Sequence, residues 1–387
     1  MPATYQAAVI GGGINGLCAA YHFVLKGFRK VLLVEQYPLL HTRGSSHGKT
    51  RMTCAADPVR DYVELHRVAH QQEWPRLERD CGGPLIHPGP GILFGAPGAG
   101  LRSWFEQSAQ AGSDVQWLEP ADARRRFPQF RFADAEGVVL ERPAGVIAAE
   151  RTMRNLVAFL GKQSVDLWDS TRVLGIAPGD PIELKTSRGT IAAEHLVVAA
   201  GPWAGRLIPQ LHRCLTPLSQ VAGFFSIQAP PEAVSVGSFP CWTCFGVGEE
   251  HSFYGLPGLE GGRIEAVRDT LDGHAGTEEQ MFENEAPVLR HFLERELALP
   301  LGEEVVFEKG FVTASITDDV IVDVYPAHPR IAFTAGCMGR GFKFAPLTGR
   351  LLVELAVAGK TEIPEFEQAR ERFALSRAVA LAATESA

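Results

Sequence analysis

Ala7-Ala8-Val9-Ile10-Gly11-Gly12-Gly13-Ile14-Asn15-Gly16-Leu17 joins an apolar run that reads as a strand to an amphipathic run that reads as a helix. The G-x-G-x-x-G spacing of Gly11, Gly13 and Gly16 counts for little alone in a chain with 40 glycines; its context gives it weight. After it, Leu17, Ala20, Tyr21, Val24 and Leu25 fall at helical spacing, the stripe of a helix packed on a sheet. Gly27 stops that helix. Val31-Leu32-Leu33-Val34 reads as a second strand, and Glu35 follows it where the acidic ribose ligand of a dinucleotide fold belongs. In such a unit Gly11 allows the tight turn, Gly13 leaves room for a pyrophosphate, and Gly16 lets helix and strand approach. The helix N-terminus presents unpaired amides to the negative charge. An acid at position 35 disfavours a 2'-phosphate, which makes NADP the least suitable of the common dinucleotides.

FAD and NAD share this first unit, and two later segments separate them. His195-Leu196-Val197-Val198-Ala199-Ala200-Gly201-Pro202-Trp203 is a buried strand followed by glycine and small residues. Ile331-Ala332-Phe333-Thr334-Ala335-Gly336 repeats that design, and Gly339-Arg340-Gly341-Phe342-Lys343 leads into another helical run. Three strand-glycine units spread along the chain suit a long cofactor held by discontinuous pieces. A nicotinamide dehydrogenase usually binds through one contiguous half.

The rest of the chain sets bounds on function. At 387 residues it suits two domains. A net charge of -8 argues against a nucleic-acid surface. No run of about twenty apolar residues lacks charge, which predicts no membrane span; the absence of a basic-then-apolar leader predicts a cytoplasmic protein. Seven scattered cysteines form no disulfide framework. Cys241 and Cys244 make a C-x-x-C without a second pair, so they read as packed thiols rather than a metal site. Arg124-Arg125-Arg126 reads as a solvated helix end. Between Gly82 and Arg142, and again from Pro217 to Thr313, short apolar runs alternate with turns, as antiparallel strands do. Strands are expected at Gln220 to Ile227 and His251 to Leu256, and a helix from Glu278 to Leu297. The expected fold is α/β: a Rossmann-like FAD-binding domain (1–82, 145–217 and 316–387) with an interdigitated antiparallel-sheet substrate domain (83–144 and 218–315).

Four stretches carry a resemblance to the monomeric sarcosine oxidase, N-methyltryptophan oxidase and pipecolate oxidase group of FAD amine oxidases. They are the unit through Glu35, the run Gly44-Ser45-Ser46-His47-Gly48-Lys49-Thr50-Arg51, the pair Tyr254-Gly255 with Pro257, and Gly339 to Pro346. The resemblance implies a substrate-domain sheet roofing the flavin. It implies a small-molecule amine substrate, oxygen or another electron acceptor as partner, and a monomer or small homo-oligomer. It implies FAD contacts from Gly11, Gly13, Ile14, Asn15, Gly16, Glu35 and Gln36, and from Arg43, Ser45, Ser46 and Arg51. Further contacts are implied from Val173, Gly201 and Trp203, and from Cys337, Met338, Gly339, Gly341, Phe342 and Lys343. The family oxidises the carbon beside a secondary or tertiary amine by passing a hydride equivalent to the flavin, and the imine then hydrolyses. Lys343 matches its ligand for the substrate carboxylate, and Arg51 the arginine over the flavin. Tyr254 matches a pocket tyrosine, although a buried strand aromatic is an equal reading of that residue.

Three departures from the family pattern bear on function. Where the family carries a second carboxylate-binding arginine, this chain has Cys54. Where it carries the lysine that activates oxygen, Glu265 stands, and Asp269 replaces a pocket histidine. All three remove positive or add negative charge around the substrate. Two expectations follow: a substrate that is cationic or lacks a carboxylate, and a reduced flavin that reacts slowly with oxygen, as in a dehydrogenase. Arg263 and Arg268 are candidates to restore the clamp, with an Arg263–Glu265 ion pair as the competing reading. The cysteine that often links FAD in the family has no counterpart; Thr313 or a neighbour takes its place, so FAD is expected to be non-covalent. Two alternatives stay open: an NAD-linked or flavin-retaining biosynthetic dehydrogenase, and a flavin-binding module with decayed catalytic residues. Retention of Arg51 and Lys343 argues against decay.

Overall fold

The strand that ends at the glycine turn is the middle of the first sheet. In the computed structural model, which describes residues 3–163, 165–246, 252–269, 273 and 276–384, Ala3–Ile10 lies parallel to Gly189–Val198 on one side and Val31–Val34 on the other. Ile331–Ala335 and Val165–Trp168 extend the sheet in parallel. Ile321–Val324 adds an antiparallel edge, and the hairpin of Val173–Ala177 and Ile182–Thr186 pairs onto Gly189–Val198, giving eight strands. Apolar clusters cover both faces. That double burial is why Val31–Val34 and Ile331–Ala335 are unbroken apolar runs rather than alternating ones.

The helix after the turn spans Ile14–Leu25. Its environment corrects the expected stripe: Leu25 is 42% exposed, whereas Cys18, Ala19, His22 and Phe23, off the stripe, are buried. The cause is a second cover, the helix Gly341–Ala358, which passes so close that a Cβ on Gly349 would lie 2.5 Å from the carbonyl carbon of Cys18. Gly16 meets the same limit on the sheet side, where a Cβ would sit 1.9 Å from the Gly11 carbonyl oxygen. Gly16→Ala is therefore expected to cost about 3 kcal/mol, at the upper end of overpacking penalties, and to release the bound dinucleotide. A thermal melt that matches the parent, with cofactor retained through gel filtration, overturns this.

The second sheet has nine strands, eight of them drawn from two separated blocks. Within the first block Ile86–Gly95, Asp114–Leu118 and Gly137–Ala148 pair antiparallel. Within the second, so do Leu215–Ile227, Cys241–Phe245, Ser252–Pro257, Arg263–Asp269 and Leu301–Ser315. The blocks meet at one seam, Ile86–Gly95 beside Cys241–Phe245, and that pair is parallel. No hairpin joins the two strands, so no tight turn imposes an antiparallel direction there. At the far edge Thr50–Cys54 pairs with Gly137–Ala148, which puts Arg51 and Cys54 on the second sheet while the chain before them belongs to the first.

The expected strand at 220–227 begins earlier, at Leu215; the one at 251–256 is observed as Ser252–Pro257, with His251 outside the described residues. The helix Glu278–Glu296 opens with a Thr277/Gln280 capping box and packs Leu289, Phe292 and Leu293 on the outer face of the second sheet. Cys241 and Cys244 are buried in one strand, and neither forms a disulfide. Among the described residues no group of three or more His, Cys, Asp or Glu is placed to hold a metal ion. Arg124 donates to the Arg131 and Phe132 carbonyls and Arg125 pairs with Asp122, at the end of the helix Pro120–Arg126. No described helix is long and apolar enough to cross a membrane.

Candidate active site

A cavity of about 770 Å³ runs between the two sheets, from the Gly11 turn to the first turn of the helix Gly341–Ala358. At the first end Gly11 has φ +111°, and a Cβ there would lie 2.3 Å from the Ala199 carbonyl oxygen. Only glycine holds that turn against the neighbouring strand. Gly13 is the N-cap of the helix Ile14–Leu25 and no side chain caps it. The Ile14 N–H donates to Ser46 Oγ at 3.1 Å. Asn15 donates from Nδ2 to Cys337 Sγ at 3.6 Å, while its Oδ1 is buried in the cavity wall without a hydrogen-bond partner. A helix N-terminus, a glycine cradle and an orphaned amide oxygen form a donor and acceptor set that fits a dinucleotide pyrophosphate and its neighbours.

Glu35 is buried beside this turn, with Oε2 accepting from the Gly12 N–H at 2.7 Å and Oε1 from the Tyr37 N–H at 2.9 Å. Burial pushes its carboxyl up, but hydrogen bonds from His41 and the two amides outweigh that and hold it below the ordinary value. It is thus a charged acceptor at the position where a ribose diol is expected. Gln36, Val173, Gly201 and Trp203 line the cavity beyond it, and Ser45, Ser46, Met338 and Gly339 line its length. Two residues expected at the cofactor lie off the walls. Gly16 is behind the turn, as its close-approach role requires. Arg43 is exposed and stacks its guanidinium over the Tyr37 ring at 4.9 Å, because its chain turns outward after His41.

At the other end Arg51 donates to the Thr50, Ser45 and His47 carbonyls at 2.7, 2.9 and 2.5 Å and lies over the Phe342 ring at 5.8 Å. Its guanidinium is held rigidly by backbone oxygens. Glu265 stands beside it on the same wall, buried, with Oε2 accepting from Thr50 Oγ1 at 2.7 Å. Burial pushes the Glu265 carboxyl up, and the Arg51 charge opposes that shift. Tyr254 is two strand positions away in register and also faces the cavity; burial, then Glu265 and Asp269, push its phenol well up, so it stays protonated. Asp269 lines the rim of the same wall.

The expected clamp partners are elsewhere. Arg263 pairs with Glu304 at 2.5 Å, and Arg268 donates from Nε to Glu285 Oε2 at 3.1 Å, on the helix behind the sheet. Both side chains point away from the cavity, so neither restores the clamp, and the Arg263–Glu265 pair is not formed. The partner of Glu265 is Thr50, with Arg51 as the nearby charge. Lys343, in the first turn of Gly341–Ala358, sends Nζ to the Cys54 carbonyl oxygen at 3.1 Å and to Cys54 Sγ at 3.3 Å. Burial pushes the Cys54 thiol up against the opposing Lys343 charge. Cys337 is likewise pushed up, to about 11, by burial, which keeps it a thiol rather than a nucleophilic thiolate. Thr313 faces this turn, its carbonyl accepting from the Met338 N–H at 3.2 Å.

Sequence reasoning missed the polar cluster behind Lys343. Glu141 is 4% exposed and accepts from the Ala56 N–H at 3.1 Å. His66 and His70 stack with their rings 3.8 Å apart, and Thr53 Oγ1 lies 2.9 Å from His70 Nε2. A five-residue π-helix, Ala69–Glu73, starts just before His70 and widens the turn that brings it there. The i, i+4 spacing of the two histidines was the one available signal.

Comparison with known proteins bears on the family and the fold. Residues 6–355 match the FAD dependent oxidoreductase (DAO) family. The chain is similar to the peroxisomal sarcosine oxidase of Mus musculus, 31% identical over 362 residues that cover 91% of this chain and 92% of the relative. It is 28% identical to the monomeric sarcosine oxidase of Bacillus sp. (strain B-0618), covering 94% of each. In fold it is similar to the open form of NikD, an unusual amino acid oxidase essential for nikkomycin biosynthesis, with a TM-score of 0.80, 22% identity, and coverage of 96% of this chain and 97% of that one.

Proposed function

Because the chain belongs to the FAD dependent oxidoreductase family, and FAD is accordingly its cofactor, we propose that it oxidises the C–N bond of a secondary or N-alkyl amino acid. The observation that carries this reading is the Lys343 ammonium at the end of a glycine-lined dinucleotide cavity, resting on weak acceptors that a substrate carboxylate displaces. The names of the relatives, sarcosine and N-methyl-L-tryptophan oxidases, support an N-alkyl amino acid as the substrate class. Bound FAD supplies the acceptor for the hydride equivalent that leaves the carbon beside nitrogen. The chain's own residues bind and orient. Lys343 anchors the carboxylate, the protonated Tyr254 phenol donates to the substrate, and Met52 and Leu256 keep the wall apolar. The released imine hydrolyses in water.

A second reading rests on Glu265 standing beside Arg51: a dehydrogenase with poor oxygen reactivity, acting on a cationic or carboxylate-free amine. We further propose non-covalent FAD, since Thr313 and a protonated Cys337 flank the turn, a division into the two domains bounded as above, a monomer or small homo-oligomer, and a cytoplasmic location.

Anaerobic mixing with sarcosine, N-methyltryptophan, pipecolate, proline and N-alkyl diamines tests the reading. Flavin bleaching by an N-alkyl amino acid is expected, with the yellow colour passing to the supernatant on acid precipitation. Bleaching by the diamines alone overturns the carboxylate anchor, and a yellow pellet overturns the non-covalent linkage.

A further inference from the structure

Lys343 has a carboxyl group built in behind it. Glu141 lies on the strand Gly137–Ala148, whose register sets Ala144 opposite Cys54. Its Oε2 accepts from Ala56, two residues beyond the Cys54 that receives the Lys343 ammonium. The adjoining strand makes room for it at Gly91, where a Cβ would come within 2.6 Å of Glu141 Cγ and 2.8 Å of its Oε1. Gly91 pairs directly with Glu141, at a register shift between Gly89 and Gly91, and any larger residue would drive the carboxyl out. The carboxyl is buried and takes no part in lining the cavity.

We propose that Glu141 is the internal counter-ion of Lys343, a positioning residue whose charge state sets how strongly the site holds a substrate carboxylate. The proposal rests on the reading of Lys343 as carboxylate anchor. Neutral Glu141 leaves the whole Lys343 charge to the substrate; ionised Glu141 draws the ammonium toward the wall and cancels part of its field. The other groups facing the pair act less strongly. Asp57 opposes ionisation of Glu141 and is itself paired with Arg340 at 3.6 Å. The Cys54 and Cys241 thiols are held protonated, chiefly by burial. His66 and His70 are held neutral by burial and then by neighbouring charge. On Glu141, burial raises the carboxyl to about 7, with Lys343 the main opposing influence. The switch therefore falls in the neutral range: the protonated form holds below about pH 7, and the ionised form above it.

The experiment titrates the holoenzyme with butyrate, a carboxylate without an amine, and reads the flavin absorbance change at pH 6 and pH 8. Butyramide is the uncharged control. The butyrate Kd is expected to rise about fivefold from pH 6 to pH 8, from linkage to one group near neutrality. Butyramide should not vary. Glu141→Gln keeps an acceptor for the Ala56 N–H and should flatten the butyrate profile at the low-pH value. Calorimetry of the unaltered enzyme in two buffers of different ionisation enthalpy should show uptake of about half a proton per butyrate at pH 7.5, a readout that does not depend on the variant folding. Equal Kd values at the two pH values without proton uptake, or an unchanged profile in Glu141→Gln, overturn the proposal. Butyrate that binds no better than butyramide at either pH overturns the anchor reading itself, a distinct result.

Discussion

Lys343→Met is expected to lower kcat/KM for a carboxylate-bearing N-alkyl amine by about 10²–10³, the loss that follows when one partner of a desolvated charge pair is truncated. The effect should be large because, among the described residues, the neighbouring cationic side chains are committed to other partners. The position opposite Lys343, where the family resemblance implies an arginine, holds Cys54, whose carbonyl and thiol accept from the ammonium. Arg263 and Arg268 are committed to Glu304 and Glu285, and Arg340 to Asp57. Methionine keeps an unbranched stem, and the Trp74 Nε1 hydrogen bond goes to the Lys343 backbone carbonyl, which the substitution leaves in place. Most of the loss should appear in KM, because the carboxylate is bound alike before and during the chemical step. An N-alkyl amine without a carboxylate should change less than about threefold. Steady-state kinetics on the two substrate types checks this. If the variant instead gains activity on a cationic amine while carboxylate substrates are unaffected, the anchor reading is wrong.

The parts of this molecule governed by local rules were legible in the chain. A strand ending in Gly11, a helix opening at Ile14 and an acid after Val34 each follow from backbone geometry over a few residues, and all three stand as expected. What depended on neighbours far along the chain was not legible. Leu25 was assigned to a buried face because periodicity cannot reveal that a helix from residues 341–358 covers the opposite side. The parallel seam between Ile86–Gly95 and Cys241–Phe245 joins strands with no turn to read. The same holds at the site. Alternation along Arg263–Asp269 sets Arg263 and Glu265 on one face, but which way Glu265 turns and whether Arg263 meets it depend on Thr50 and on Glu304 across the sheet. Glu141 gave no signal at all: its meaning comes from Gly91 and Ala56, which make a place for a carboxyl only when two strands and a loop converge.

Glu265→Lys is expected to speed reoxidation of the reduced flavin by oxygen about 10²-fold, the scale on which one preorganised charge or donor aimed at a developing anion acts. Oxygen that takes an electron becomes an anion, and the wall it meets here carries Arg51 and Glu265 together. Arg51 is locked onto three backbone carbonyls and cannot swing away from the carboxylate. Their opposite charges compensate, leaving little net field to favour the anion. A lysine at 265 makes that wall doubly cationic, while Glu265→Gln, which removes one negative charge and keeps an acceptor for Thr50, should give about tenfold. The unaltered protein should also show a pH trend. Because burial raises the Glu265 carboxyl, lowering the pH neutralises it sooner than an exposed glutamate, so reoxidation should quicken on acidification and Glu265→Gln should lose that trend. Stopped-flow mixing of the reduced proteins with oxygenated buffer measures all three rates, with the flavin spectrum of each variant reporting an intact site. Rapid reoxidation of the unaltered protein, matched by both variants, would mean that oxygen meets the flavin away from this wall.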